Sequence, residues 1–181
     1  MIQILGASFF AREIAGYIQH ILHEECEMIN TTVVPVNPAL PTVIGIGSPQ
    51  IRRKVFEENM TLDYKILHFG RHFGQLLIQP GIIICPGVTL TTDIKLGAFV
   101  IVNINSTIGH DCEIGDFTTI SPGANISGNV KIGANCYIGT GAMIREDVTI
   151  CDDVTLGAGM IVVKDITEPG TYVLDVKSRK L

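Results

Sequence analysis

Ile108-Gly109-His110-Asp111-Cys112-Glu113-Ile114-Gly115-Asp116-Phe117-Thr118-Thr119-Ile120 places an isoleucine at every sixth position. The same interval runs outward without a miss: Ile84, Leu90, Leu96 and Val102 before it, then Ile126, Ile132, Ile138, Ile144, Ile150, Leu156 and Val162. A fixed repeat outranks any local reading of structure. Six matches neither the 3.6 residues of an amphipathic helix nor the alternation of a half-buried strand. It fits a parallel β-helix in which each hexapeptide supplies one short strand and one turn. Four places after each aliphatic stands a second small or branched residue, from Val88 to Val154, with Cys112 and Cys136 among them. Both sets are expected to face inward, each large aliphatic contributing about 1.5–3 kcal/mol of gross burial. A glycine often follows the aliphatic (Gly97, Gly109, Gly115, Gly133, Gly139, Gly157), where a side chain would clash or φ must be positive. Three hexapeptides make a triangular turn, so residues eighteen apart stack about 4.8 Å from one another. The spacing predicts a coil continuous and in phase from about Ile78 to Ile166, with no protruding loop.

Residues 1–67 read differently. Ile2-Gln3-Ile4-Leu5 is a strand, followed by the turn Gly6-Ala7-Ser8 and a helix over about Ala11–Leu22. Thr42–Gly47 is a second strand, leading to a helix over about Pro49–Asn59 that carries Arg52-Arg53-Lys54. Asp63–Leu67 is a candidate third strand, and Glu24–Leu40 shows little pattern. The order predicts a small, trimmed Rossmann-like α/β domain, residues 1–67, before a coil with a C-terminal tail, residues 68–181. Gly6 and Ser8 are candidates to seat a substrate phosphate at the first helix N-terminus. The alternative is a tight turn with no ligand, since Gly-Ala-Ser-Phe-Phe-Ala lacks further glycines and no acidic residue follows a second strand.

The chain of 181 residues has a net charge of −5 and a pI near 5.5, which argues against nucleic acid as a partner. No stretch is long and apolar enough for a membrane span, and no secretory signal is expected at the start. The five cysteines have no metal or redox spacing, so a reducing cytoplasm is the expected setting.

Ile-Leu-Gly-Ala-Ser at the start, Ile44-Gly45-Ile46-Gly47 with Arg52-Arg53-Lys54, Ile108–Asp116 and Ile120-Ser121-Pro122-Gly123-Ala124 together resemble the sialic-acid O-acetyltransferase (NeuD) and bacillosamine N-acetyltransferase (PglD) family of sugar acyltransferases. The resemblance spans nearly the whole chain. It implies a mainly β fold, a left-handed parallel β-helix preceded by a Rossmann-like domain. It also implies a homotrimer that binds acetyl-CoA between neighbouring subunits and takes a sugar, often nucleotide-linked, as acceptor in bacterial surface glycan synthesis. A loop-free prism has convex faces, so a concave site needs a second wall from a neighbour.

Acyl transfer from a thioester requires a base for the acceptor proton and a donor for the developing oxyanion. His110 is the one histidine within the repeats and is expected at an exposed corner. The resemblance makes His110 the base and Asp111 the residue that orients it, with Glu113 a second candidate for orientation. Stacking places Gly128 one coil beyond His110, either as an acetyl-CoA contact whose amide faces the thioester oxygen or as a mere corner residue. Asn103, or its neighbour Asn105, is the candidate acceptor contact. Lys164, Lys177, Arg179 and Lys180 are candidates for the CoA phosphates, or belong to a solvated surface. Cys112 should point inward, so no acyl-enzyme is expected. The chain departs from the family at Thr119, where a second histidine is common, and at Leu174-Asp175-Val176-Lys177, which replaces Gly-Asn-Pro-Ala. No metal is expected, because a γ-type carbonic anhydrase needs three histidines and the repeats hold one. Two other readings stay open: acyl transfer to a non-sugar acceptor, and a coil retained as an assembly or binding module.

Overall fold

The computed structural model describes residues 1–30 and 35–174. The chain is a mainly β parallel solenoid of about six turns, with two helices among the described residues. Three sheets form the faces of a prism. The first face begins with Leu67–His68 and continues through Ile83–Ile84, Ile101–Val102, Thr119–Ile120, Tyr137–Ile138 and Val154–Leu156 to Gly170–Tyr172. The second runs from Arg71–His72 to Ile161–Val162, and the third from Leu76–Ile78 to Thr149–Ile150. Ile101 pairs with Thr119, Thr107 with Asn125 and Glu113 with Lys131, the expected eighteen-residue register.

Every aliphatic of the six-residue series is buried in one continuous core, together with Cys112 and Cys136. Two polar residues share the inward positions, and both are satisfied. The Ser106 hydroxyl donates to the Ser121 carbonyl at 2.9 Å, and that of Thr118 to the Gly133 carbonyl at 2.8 Å. The recurring glycines serve close approach. A Cβ on Gly109 would lie 2.6 Å from the Gly128 nitrogen, and one on Gly115 equally close to that of Ala134. Positive φ falls elsewhere in the repeat, at Asp93, Asn105, Asp111, Asn129 and Asp147 among others. Asn and Asp tolerate this conformation through their short polar side chains.

The predicted phase ends earlier than Ile166. Ile166 bridges Ile150, sixteen residues back, so the corner after Val162 is two residues short. The Asp165 carboxylate accepts the Thr149 N–H at 2.8 Å and closes this tighter turn. The opposite end is shortened in the same way, since Leu67 pairs with Ile83 whereas Arg71 pairs with Thr89.

Ahead of the coil, β1 (Ile2–Leu5) lies between β2 (Cys26–Ile29) and β3 (Thr42–Ile44), all parallel. Helix α1 spans Phe9–Ile21 and α2 spans Pro49–Glu57, with the Ser8 and Ser48 side chains as N-caps. The β2 strand has no counterpart in the sequence reading because only Ile29 of its residues is fully buried, leaving no alternation. Tyr64 makes a single bridge to Thr42, and Leu67–His68 pairs with the coil, so the expected Asp63–Leu67 strand is divided between the two sheets. Ile4, Ile14 and Val43 pack on Leu67, Ile83 and Ile101 of the first face. Leu5, Ile44 and Val55 pack on Phe99 and Phe117. Both phenylalanines have positive φ, 57° and 59°, and their rings stack 5.1 Å apart. That conformation is strained for a bulky residue, and the packing against this apolar cluster offsets it.

Candidate active site

The turn joining the second face to the third recurs at residues 109–112 and 127–130. Asp111 takes the left-handed conformation at this corner, φ 59°, which turns its carboxylate back toward the preceding residue. His110 Nδ1 and Asp111 Oδ2 are 2.8 Å apart, and both side chains are more than half exposed. A carboxylate at Nδ1 favours the tautomer with its proton there, which leaves Nε2 as the free basic nitrogen. Glu113 turns instead to Lys95 at 3.1 Å on the third face, and that contact holds its carboxyl below the usual range.

One coil along, the His110 ring lies directly against Gly128. A Cβ there would meet Nε2 at 2.5 Å. The Gly128 N–H makes no hydrogen bond among the described residues, while its carbonyl accepts from the Asp147 N–H. A basic nitrogen and an unused amide donor therefore sit side by side on one edge. Lys164 is exposed in the shortened corner further along the same edge. Lys177, Arg179, Lys180 and the Asp175-Val176-Lys177 part of the expected family departure lie outside the described residues. Cys112 is buried in the prism core, where desolvation raises its thiol pKa. A buried thiol of this kind is a poor nucleophile.

Gly128→Ala is expected to lower turnover about 10²-fold, the cost of misplacing a catalytic group by about 1 Å. The Gly128 φ is not in the left-handed region, so the backbone accepts alanine and the imidazole gives way. Steady-state rates measured beside thermal melts check this: unchanged turnover with a displaced melting point would reverse it.

Asn103 stands on a different edge, where the first face turns into the second. It lines a hollow of about 480 Å³ between the coil and the N-terminal unit, with Phe10, Ser48, Thr119, Ser121 and Tyr137 among its walls. Asn103 Oδ1 accepts the Ile104 N–H at 2.8 Å, so its Nδ2 is left without a partner among the described residues. Asn105 is an exposed corner residue, φ 55°, and is not part of the hollow. Gly6 and Ser8 line a separate hollow of about 480 Å³ with Asn30, Ile46 and Lys54. The Ser8 hydroxyl is already engaged, accepting from the Ala11 N–H and donating to the Gly45 carbonyl.

Three residues in or beneath the Asn103 hollow escaped the sequence reading as parts of a site. Arg52 is fully buried: its Nε donates to the Phe99 carbonyl at 2.9 Å, and Nη1 to the carbonyls of Ile46 and Gly47 at 2.7 and 3.1 Å. Its Nη2 reaches the Phe117 carbonyl and the Thr119 hydroxyl. Thr119 Oγ1 in turn donates to the Gly47 carbonyl at 2.8 Å. Ser121 is 1% exposed and its Oγ has no hydrogen-bond partner among the described residues. Arg52 had a signal, since Pro49, Arg52 and Val55 fall three apart on the buried side of α2, whereas Arg53 and Lys54 pair outside with Glu57 and Glu58. Thr119 also had one, since it stands where the resembled family commonly carries a second histidine, and Ser121 had only its place in the Ile120–Ala124 stretch of the resemblance.

Residues 129–159 match the family model described as bacterial transferase hexapeptide (six repeats). Among solved structures, the acetyltransferase domain of PglB from Neisseria gonorrhoeae is 26% identical with a TM-score of 0.88, over 96% of each chain. That domain is also known in complex with acetyl coenzyme A. WeeI from Acinetobacter baumannii is 27% identical, TM-score 0.85, over 97% of each chain. PerB from Caulobacter crescentus, in complex with CoA and GDP-perosamine, shares the fold at 20% identity and a TM-score of 0.83, over 95% of this chain and 93% of its own. No curated protein is matched by sequence.

Proposed function

We infer that this chain, which its repeat and its whole-length likeness group with the hexapeptide-repeat acetyltransferases, moves an acetyl group from acetyl-CoA to an amine or hydroxyl of a sugar in bacterial surface glycan synthesis. The observation that carries this reading is the His110–Asp111 pair lying against the unbonded Gly128 amide. In this reading the acceptor oxygen or nitrogen attacks the thioester carbonyl as His110 Nε2 takes its proton. Asp111 holds the Nδ1–H and steadies the imidazolium. The Gly128 N–H donates to the oxyanion of the tetrahedral intermediate, and the carbon–sulfur bond breaks with return of the proton to the CoA sulfur. Lys164, on the same edge, meets the CoA phosphates. Asn103 contacts the acceptor, and Gly6 and Ser8 flank any nucleotide it carries.

The two halves of this machinery stand on different edges of the prism in one chain. That supports a homotrimer in which the His110 edge of one subunit faces the Asn103 hollow of its neighbour. Residues 1–67 then act as a trimmed Rossmann-like acceptor unit, and residues 68–181 as a left-handed donor-binding coil with its tail. The five free cysteines suit work in the cytoplasm, and no described helix is long and apolar enough to cross a membrane.

One sample tests both parts. Sedimentation equilibrium should give three chains, and the same protein should release CoA thiol from acetyl-CoA with a member of a panel of nucleotide-linked amino and neutral sugars. A monomer that turns over would refute the shared site. A trimer inert towards the whole panel and towards non-sugar amines would favour an assembly role.

A further inference from the structure

The Asn103 hollow has a charge character that its surface alone does not reveal. Among the described residues no carboxylate lines it. Beneath it lies the Arg52 guanidinium, whose partners are backbone carbonyls and the Thr119 hydroxyl, with no acidic side chain in ion-pair distance among the described residues. Burial presses its pKa down to about 9, so it remains charged at neutral pH. Hydrogen bonds to neutral acceptors satisfy the N–H groups but leave the net charge uncancelled, and charge buried in a medium of low dielectric acts over longer distances. The nine-residue helix α2 adds its positive end, because Ser48, Pro49 and Gln50 at its N-terminus all line the hollow.

Within this positive field one fully buried side-chain oxygen is unsatisfied among the described residues. Ser121 Oγ is buried at the hollow and has no partner among the described residues, an arrangement that costs stability unless a ligand completes it. Thr119 cannot take that role in its present geometry, since its hydroxyl proton goes to Gly47 and Arg52 donates to its oxygen.

We propose that this hollow is an oxyanion subsite, in which Ser121 Oγ and Asn103 Nδ2 donate to a carboxylate or phosphate on the acceptor and a protonated amine is disfavoured. The proposal rests on the acyltransferase reading for the word acceptor, but the binding itself is independent of acetyl transfer. It makes Ser121 a specificity-determining residue. It also implies that an amine acceptor enters this hollow as the free base or lies beyond it.

Calorimetric titration of the full chain at matched ionic strength, with glucuronate, glucose 6-phosphate and glucosamine as probes, tests this. At least one of the two anionic sugars should bind about tenfold or more tightly than glucosamine. Preference for glucose 6-phosphate would assign phosphate, and preference for glucuronate would assign carboxylate. Ser121→Ala should weaken the preferred probe about 10–100-fold, the usual loss for a hydrogen bond to a charged group. Asn103→Ala, a change at a half-buried position, should weaken it in the same direction. Acetyl-CoA is titrated in parallel against the parent chain. Equal or tighter binding of glucosamine, no anion binding, or anion binding indifferent to both substitutions would overturn the subsite. Acetyl-CoA binding without anion binding would sink the subsite alone, whereas anion binding without acetyl-CoA binding would sink the acyltransferase reading alone.

Discussion

His110→Ala is expected to lower acetyl transfer about 10²–10⁴-fold, the usual contribution of a positioned general base. The fold should survive, because the side chain is 62% exposed on a corner and contributes nothing to the prism core. Asp111→Asn should cost less. It keeps a polar side chain at the left-handed corner, which asparagine adopts readily at Asn105 and Asn129 of the same chain. It removes the carboxylate that holds the imidazole at Nδ1 while leaving the proton acceptor Nε2 in place. Both variants should bind acetyl-CoA with unchanged affinity, since the free Gly128 amide and the coil edge are untouched. Steady-state transfer with a confirmed acceptor, alongside calorimetry, separates the two effects. Wild-type rates in His110→Ala would move the base elsewhere. The next candidate is His68 at the mouth of the coil, whose pKa is lowered by burial and by the neighbouring His72.

Arg52→Met should destabilise the protein by about 3 kcal/mol and should act first on the N-terminal unit. The methionine fills much of the volume but leaves the carbonyls of Phe99 and Phe117 without the donor that reaches them. An unsatisfied buried acceptor costs about 1–3 kcal/mol, and removal of the buried charge offsets part of the total. For a chain of this size each kcal/mol moves Tm by about 2–4 °C, so a fall of about 6–12 °C is expected. Hydrogen exchange should show β1, β2 and β3 losing protection while the coil strands keep theirs, because the Arg52 hydrogen bonds join the two parts. Arg52→Lys should rescue only partly, since three rotatable donors cannot reproduce a planar fork spread over six acceptors. A melting point within about 1 °C of the parent, well inside the shift expected for even one kcal/mol, would show that the apolar packing alone holds the unit in place.

The coil was legible because its physics is local and repeated. Each inward aliphatic meets copies of itself in the next turn, so burial imposes the same requirement every six residues and leaves a periodic trace. The His110–Gly128 juxtaposition follows from that period by counting. The shortened corners after His68 and Val162 left no such trace, since the aliphatic series simply stops there and a side chain, Asp165, replaces the missing backbone length at the second of them. Strand β2 was invisible for the opposite reason: it is held by backbone pairing to β1, which carries no residue signature.

By itself the sequence determined the parallel coil, its inward residues and the stacking of Gly128 on His110, while the structure chose Asp111 over Glu113 as the partner of that imidazole. All of these depend on separations of one coil or less. Only the tertiary structure decided which polar residues meet across the boundary between the N-terminal unit and the coil. Arg52 lies 67 positions from Thr119, and nothing periodic connects them. Their contact exists because the apolar faces around Leu5, Val55, Phe99 and Phe117 pack together and draw an arginine into a place without water. Burial of that kind is a property of the assembled surfaces, so Arg52 reads as one of three adjacent cations until the fold shows it alone beneath the hollow.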